Sequence, residues 1–143
     1  MYNRLRVRNN LCLIICLSAE TYLAAGQYEK SLEQARLAIA ASSEIRDRWC
    51  LPRIHTICGR ILQSLGEIDA AEANLRMAVD IAAAQSAKGA QLQAASSLGR
   101  LWLGQGKPQQ AREMLAPVYC WFTEGFETRD LKMAKVLLDE LSA

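Results

Sequence analysis

The chain has 143 residues, 51% of them apolar and 22% charged, which suits one folded domain with a real core and excludes disorder as the main state. Its 17 basic and 15 acidic residues leave a net charge of +2. Three of the basic residues, Arg4, Arg6 and Arg8, fall within the first ten, so no global basic field for nucleic acid is expected. Eight glycines and three prolines argue against a turn-rich all-β chain, and a single histidine excludes a multi-histidine metal site or a histidine relay.

In chain order, residues 1–10 form a basic segment with no structural reading. Residues 11–17 (LCLIICL) then supply seven apolar side chains, the shortest h-region a signal peptide uses and far below the roughly 20 residues of a bilayer span. The same segment fits the repeat register described next, so it is read as the first helix of a repeat, over about 10–25. Its apolar face is a candidate surface for self-association or for a preceding domain. Neither export nor membrane insertion is expected, and the expected location is the cytoplasm. Five scattered cysteines, Cys12, Cys16, Cys50, Cys58 and Cys120, do not read as a disulfide framework. Cys50, His55 and Cys58 lack the fourth ligand of a zinc site, so no metal and no cofactor is expected.

A forty-residue period runs through the remainder. LAAGQYEKSLEQA from Leu23, QSLGEIDAAEANL from Gln63 and LGQGKPQQAREML from Leu103 align on Gly26, Gly66 and Gly106. Five residues after each glycine stands a small side chain, Ser31, Ala71 or Ala111. Seven before stand Ala19, Gly59 and Gly99, and four before stand the bulky Tyr22, Leu62 and Trp102. A glycine can end one helix in a left-handed conformation, and small residues on either side let the next helix cross closely. Each unit is therefore an antiparallel helix pair, and pairs must stack to bury their apolar faces. The predicted helices cover about 10–25, 28–44, 52–65, 68–86, 90–105, 108–123 and 128–142, grouped as repeats 11–50, 51–90 and 91–127 plus a capping helix over 128–142. Pro108 fits a first helical position, whereas Pro117 is expected to bend or break the sixth helix. Gly89 and Gly125 are expected at helix boundaries, and Thr128 as an N-cap with Asp130 favourable to the helix dipole. Leu131, Ala134, Leu138 and Leu141 share one face of the last helix, which suits it to close the stack.

The small–bulky–glycine–small order resembles the tetratricopeptide repeat, with six residues more than its usual thirty-four. The segments 71–95 and 98–141, above all LAPVYCWFTEGFETRDLK, are similar to the C-terminal helical tails of large bacterial class III adenylate or guanylate cyclases and ATPase-type transcriptional regulators. The resemblance implies an all-α tetratricopeptide-like solenoid. It implies no catalytic activity, because the metal-binding carboxylates of a cyclase and the G-x-x-x-x-G-K-[ST] loop of an ATPase are absent. A chain of this kind is expected to be a non-catalytic module that binds a protein or peptide, a fragment of such a regulator, or a small-ligand sensor.

In tetratricopeptide stacks the first helix of each pair lines a concave surface. That register marks Leu13, Cys16, Glu20 and Leu23 in the first unit. It marks Arg53, Thr56, Arg60 and Gln63 in the second, and Gln93, Ser96, Arg100 and Leu103 in the third. Arg60 and Arg100 hold one register position and are expected to be neighbours. With Arg53 they would make a basic strip able to grip a carboxylate or phosphate of an acidic partner; the competing reading is that these arginines are ordinary solvated surface or pair with Glu20 and other acids. His55 falls at a large-residue packing position, and no nucleophile–histidine–acid set is expected. Trp121, Phe122 and Phe126 are expected at the bend that seats the last helix, with a partner anchor as the alternative.

Overall fold

The computed structural model describes residues 14–45 and 49–142. Among these residues the chain forms seven α-helices and no strand: α1 (14–24), α2 (Tyr28–Ile45), α3 (Leu51–Ser64), α4 (Ile68–Ala84), α5 (Lys88–Gly104), α6 (Pro108–Trp121) and α7 (Arg129–Leu141). The bounds of α2 to α7 lie within two residues of those predicted. The predicted start of the first helix, together with Arg4, Arg6, Arg8, Cys12 and Leu13, lies outside the described residues.

Each helix from α2 to α7 packs on the next, and α5 also packs on α3 and α7. That pattern gives two layers. One holds α1, α3, α5 and α7; the other holds α2, α4 and α6. Cys16 and Ala19 of α1 share a core with Ile54, Ile57, Cys58 and Ile61 of α3 and with Ala35 and Ala38 of α2. A second core joins Ala71 and Leu75 of α4 to Leu92, Leu98 and Trp102 of α5, Leu115 of α6 and Leu131, Ala134 and Leu137 of α7. The forty-residue period is thus a packing period: Ser31, Ala71 and Ala111 are all fully buried where consecutive helices cross.

The turns inside the three units have one construction. Gly26, Gly66 and Gly106 adopt φ of 76°, 83° and 75°. Around Gly66, the Gly66 amide donates to the Gln63 carbonyl at 3.1 Å and the Glu67 amide to the Leu62 carbonyl at 2.9 Å, the two bonds of a Schellman motif. The turn between α4 and α5 makes the same bonds, from Ser86 to Ala83 at 3.1 Å and from Ala87 to Ala82 at 2.9 Å. Here the left-handed residue is Ser86, with φ of 56°. Gly89, expected at this boundary, is the second residue of α5 and does not carry the left-handed conformation.

Gly59 supports the close approach predicted for it. A Cβ at this position would fall 2.5 Å from Leu75 Cγ on α4. In the first unit the same crossing is fastened by the buried Ser31 hydroxyl, which donates to the Ala19 carbonyl at 2.6 Å.

Three local expectations need correction. Of the two outcomes expected at Pro117, a bend or a break, the break does not occur: helix α6 continues to Trp121. Pro117 is exposed and its missing amide costs the one bond to the Glu113 carbonyl, on the side of the helix that faces solvent. Thr128 occupies the N-cap position of α7 with extended backbone, but its hydroxyl donates to the Gly125 carbonyl at 2.7 Å and caps nothing. Cys50 is disulfide-bonded, although the scattered cysteines do not read as a disulfide framework, and Cys16, Cys58 and Cys120 are free.

Candidate partner-binding groove

A groove of about 480 Å³ opens on the layer formed by α1, α3, α5 and α7. The stacking that buries Ile54 and Ile57 on one face of α3, and Leu92 and Leu98 on α5, leaves the groove-side residues of these helices aligned. Arg53, Thr56 and Arg60 come from α3, and Gln93, Ser96 and Arg100 from α5, so six of the seven predicted residues meet in one place. The seventh, Gln63, lines an adjoining hollow with Leu23, Tyr28 and Ser64, and Arg60 stands between the two spaces.

The groove-side residues differ in what they have free to offer. Arg53 is engaged: its Nε donates to Glu20 Oε1 at 3.1 Å and its Nη2 to Glu20 Oε2 at 2.8 Å. That hydrogen bonding to Glu20 raises the Arg53 pKa above its ordinary value. The pairing considered from the sequence therefore forms, and Arg53 belongs to an internal clasp between α1 and α3. The nearly buried Thr56 hydroxyl donates to the Pro52 carbonyl at 2.8 Å, so its proton is spent within α3. Gln93 donates to Asp130 Oδ2 at 3.0 Å and ties α5 to α7. The Ser96 hydroxyl is enclosed and has no hydrogen-bond partner. Arg60 and Arg100 are exposed and have no ion-pair partner among the described residues.

Six groove residues were not anticipated: Ala24 of α1, Ile57 of α3, Ser97 of α5, and Arg129, Asp130 and Met133 from the first turns of α7. A signal for one of them existed. Extending the forty-residue period once more puts Met133 at the register position of Arg53 and Gln93. Helix α7 thus acts as the first helix of a further unit as well as a cap. Arg129 lies one turn before that position, where the earlier units carry no groove residue, so the repeat pattern gave no hint of it. Three residues from the predicted register pack into the cores instead: Cys16 is buried in the core of the first unit, Leu23 packs against the same core, and Leu103 packs against the second.

The remaining candidates resolve into packing or surface. His55 Nδ1 lies 3.1 Å from Asn74 Oδ1, and the Asn74 amide donates to the Ala70 carbonyl at 2.9 Å. The imidazole therefore donates from Nδ1 and links α3 to α4, away from the groove. Burial pushes the Cys16 and Cys58 thiols up to about 11 each. Phe122 packs against the core beside Trp121 in an edge-to-face pair at 5.2 Å, which fits its expected place at the bend. Trp121 and Phe126 stay exposed, with the Lys88 ammonium 5.3 Å from the Trp121 ring. On α1, Ile14 is 57% and Leu17 47% exposed, whereas Ile54 and Ile57, their equivalents one period later, are buried. Among the described residues no cluster of histidine, cysteine or carboxylate side chains is placed to hold a metal ion, and no helix is long and apolar enough to cross a membrane.

Two layers of antiparallel helix pairs, with a shared groove along one of them, define an all-α helical repeat of the tetratricopeptide type. A tetratricopeptide repeat family model matches residues 92–117, which span most of α5, the Gly106 turn and the first part of α6. No curated protein and no solved structure matches the chain. Repeats of this type generally mediate protein–protein interaction.

Proposed function

We propose that the chain is a non-catalytic interaction module of a bacterial signalling protein, and that its groove holds an acidic segment of a protein partner. The observation that carries this reading is the placement of Arg60 and Arg100. They stand forty residues apart at one register position, line one groove, and have no ion-pair partner among the described residues. Four arginines against two carboxylates leave the groove with a net charge of +2, suited to an anionic partner. The preformed helical wall means little ordering cost falls on the protein when a segment binds. The signalling context is supported by the similarity of residues 71–95 and 98–141 to the tails of bacterial cyclases and ATPase-type regulators. A cytoplasmic setting is supported by three free thiols, and the disulfide at Cys50 counts against it.

The test is binding of fluorescein-labelled nonapeptides, acidic, neutral or basic, followed by anisotropy at low and physiological salt. The acidic peptide should bind selectively, with an affinity that falls as salt rises. An Arg60→Glu/Arg100→Glu variant that keeps its helical circular dichroism should lose that binding. Equal binding of all three peptides, or unchanged binding by the folded variant, would remove the groove from the argument.

A further inference from the structure

Within the groove, the arginines divide into one that is already neutralised and three that are not. Glu20 neutralises Arg53 by accepting from one edge of its guanidinium, Nε and Nη2. Arg60 from α3, Arg100 from α5 and Arg129 from α7 line the same space and have no ion-pair partner among the described residues. Asp130 is the one remaining carboxylate on the wall, and the Gln93 amide occupies one of its oxygens. Set against these three arginines, Asp130 leaves an excess of two positive charges.

We propose that Arg60, Arg100 and Arg129 form a subsite for one dianionic tetrahedral group, the phosphate monoester of a phosphorylated serine or threonine in the partner segment. This deepens the reading of the groove as a site for an acidic peptide and rests on it. Two features select the phosphate. The first is charge: a phosphoserine carries about −1.5 to −2 at neutral pH, which matches the local excess, whereas one carboxylate leaves a cation uncompensated. The second is geometry. A carboxylate offers two oxygens in one plane, while a phosphate monoester offers three oxygens in three directions. The three guanidinium groups are carried by three different helices around one hollow, and each can present a planar pair of donors. The enclosed Ser96 hydroxyl adds a neutral donor on the same wall, without a hydrogen-bond partner of its own. Arg129 gives the subsite its distinct character. It comes from α7 and lies outside the repeat register that aligns Arg60 with Arg100, so it adds a third direction to a strip that the repeat alone would make linear.

The experiment uses the full chain and one labelled acidic nonapeptide made with serine, phosphoserine or glutamate at its centre. The phosphoserine form should bind roughly tenfold more tightly than either of the others. Arg129→Gln should erase that advantage, so that the phosphoserine and serine forms bind the variant alike. Arg112→Gln, on a separate hollow beside α6, should change none of the three affinities. In a 15N-labelled sample the phosphoserine peptide should shift the Nε–Hε signals of Arg60, Arg100 and Arg129 together. If the three peptides bind alike, the dianion subsite falls and the acidic-peptide groove stands. If none binds, both fall. If inorganic phosphate alone competes at the same concentration as the phosphopeptide, the ligand is a free anion and its assignment to a partner segment is overturned.

Discussion

Glu20 and Arg53 close a two-point clasp between α1 and α3, thirty-three residues apart in sequence, on the wall of the groove. The clasp joins the first helix pair to the second, and it also removes one cation from the surface offered to a partner. Both side chains keep about a third of their exposure, 36% for Arg53 and 34% for Glu20, so solvent screens the pair and its worth to stability is small. Replacing Glu20 by Gln should cost less than about 1 kcal/mol in urea unfolding. The same substitution frees Arg53 and should raise the affinity for an acidic peptide by about twofold to fivefold at low salt, with the gain shrinking at higher ionic strength. Unchanged affinity at low salt would show that Arg53 does not face the bound segment.

Of the glycines, Gly59 is the one with the least room for a side chain. Leu75 is fully buried and lies where a Cβ would go, so Gly59→Ala must displace either the leucine or α4. Overpacking of this kind should destabilise by about 1–3 kcal/mol. Gly104→Ala is the natural comparison: it ends α5, its Cβ would meet nothing within 4 Å, and its φ is not left-handed. That substitution should be neutral or stabilising by about 0.5–1 kcal/mol. Thermal unfolding of the two variants in parallel separates crowding from backbone entropy; equal melting temperatures would refute the close-approach reading of Gly59.

Ser86 carries the left-handed role that glycine fills in the three turns within the units. A residue with a Cβ in this conformation costs about 1 kcal/mol relative to glycine, so Ser86→Gly should raise stability by about that amount. The variant should keep the same turn, because the hydrogen bonds that close it run between backbone groups. A loss of stability would show that the serine side chain itself holds the α4–α5 turn.

The four described cysteines should separate under alkylation at pH 8. Cys120 is exposed and free and should react first. Cys16 and Cys58 are buried, with thiols pushed up to about 11, so almost none of either is thiolate at that pH and both should react slowly until the chain unfolds. Because burial raises both values, raising the pH toward 11 speeds their reaction by supplying thiolate. Cys50 should stay unlabelled without reductant and become labelled after reduction. Peptide mass mapping reads all four. Rapid labelling of Cys16 would place it on the surface rather than in the core of the first unit.

The sequence by itself determined the helices and their order. Each boundary signal acts within a turn or two of chain: glycine at 26, 66 and 106 for the left-handed residue, Pro108 at the start of α6, and apolar residues spaced along one face of α7. The period of forty extended that local information into a stack, because identical units repeat identical crossings, and so Arg60 and Arg100 could be placed together without a structure. Ser86 escaped notice because the turn's hydrogen bonds belong to the backbone, and a serine that adopts a left-handed conformation looks like any other serine. Tertiary structure alone decided the composition of the groove. Whether Arg53 is free or clasped by Glu20, whether Cys16 faces the groove or the core, and whether Arg129 reaches the hollow all depend on how far each helix is rotated and how closely its neighbour lies. Those angles are set by packing between helices, Leu75 of α4 against Gly59 of α3 and Glu20 of α1 against Arg53 of α3 among them, and a periodic pattern marks which positions meet without giving the angle at which they do.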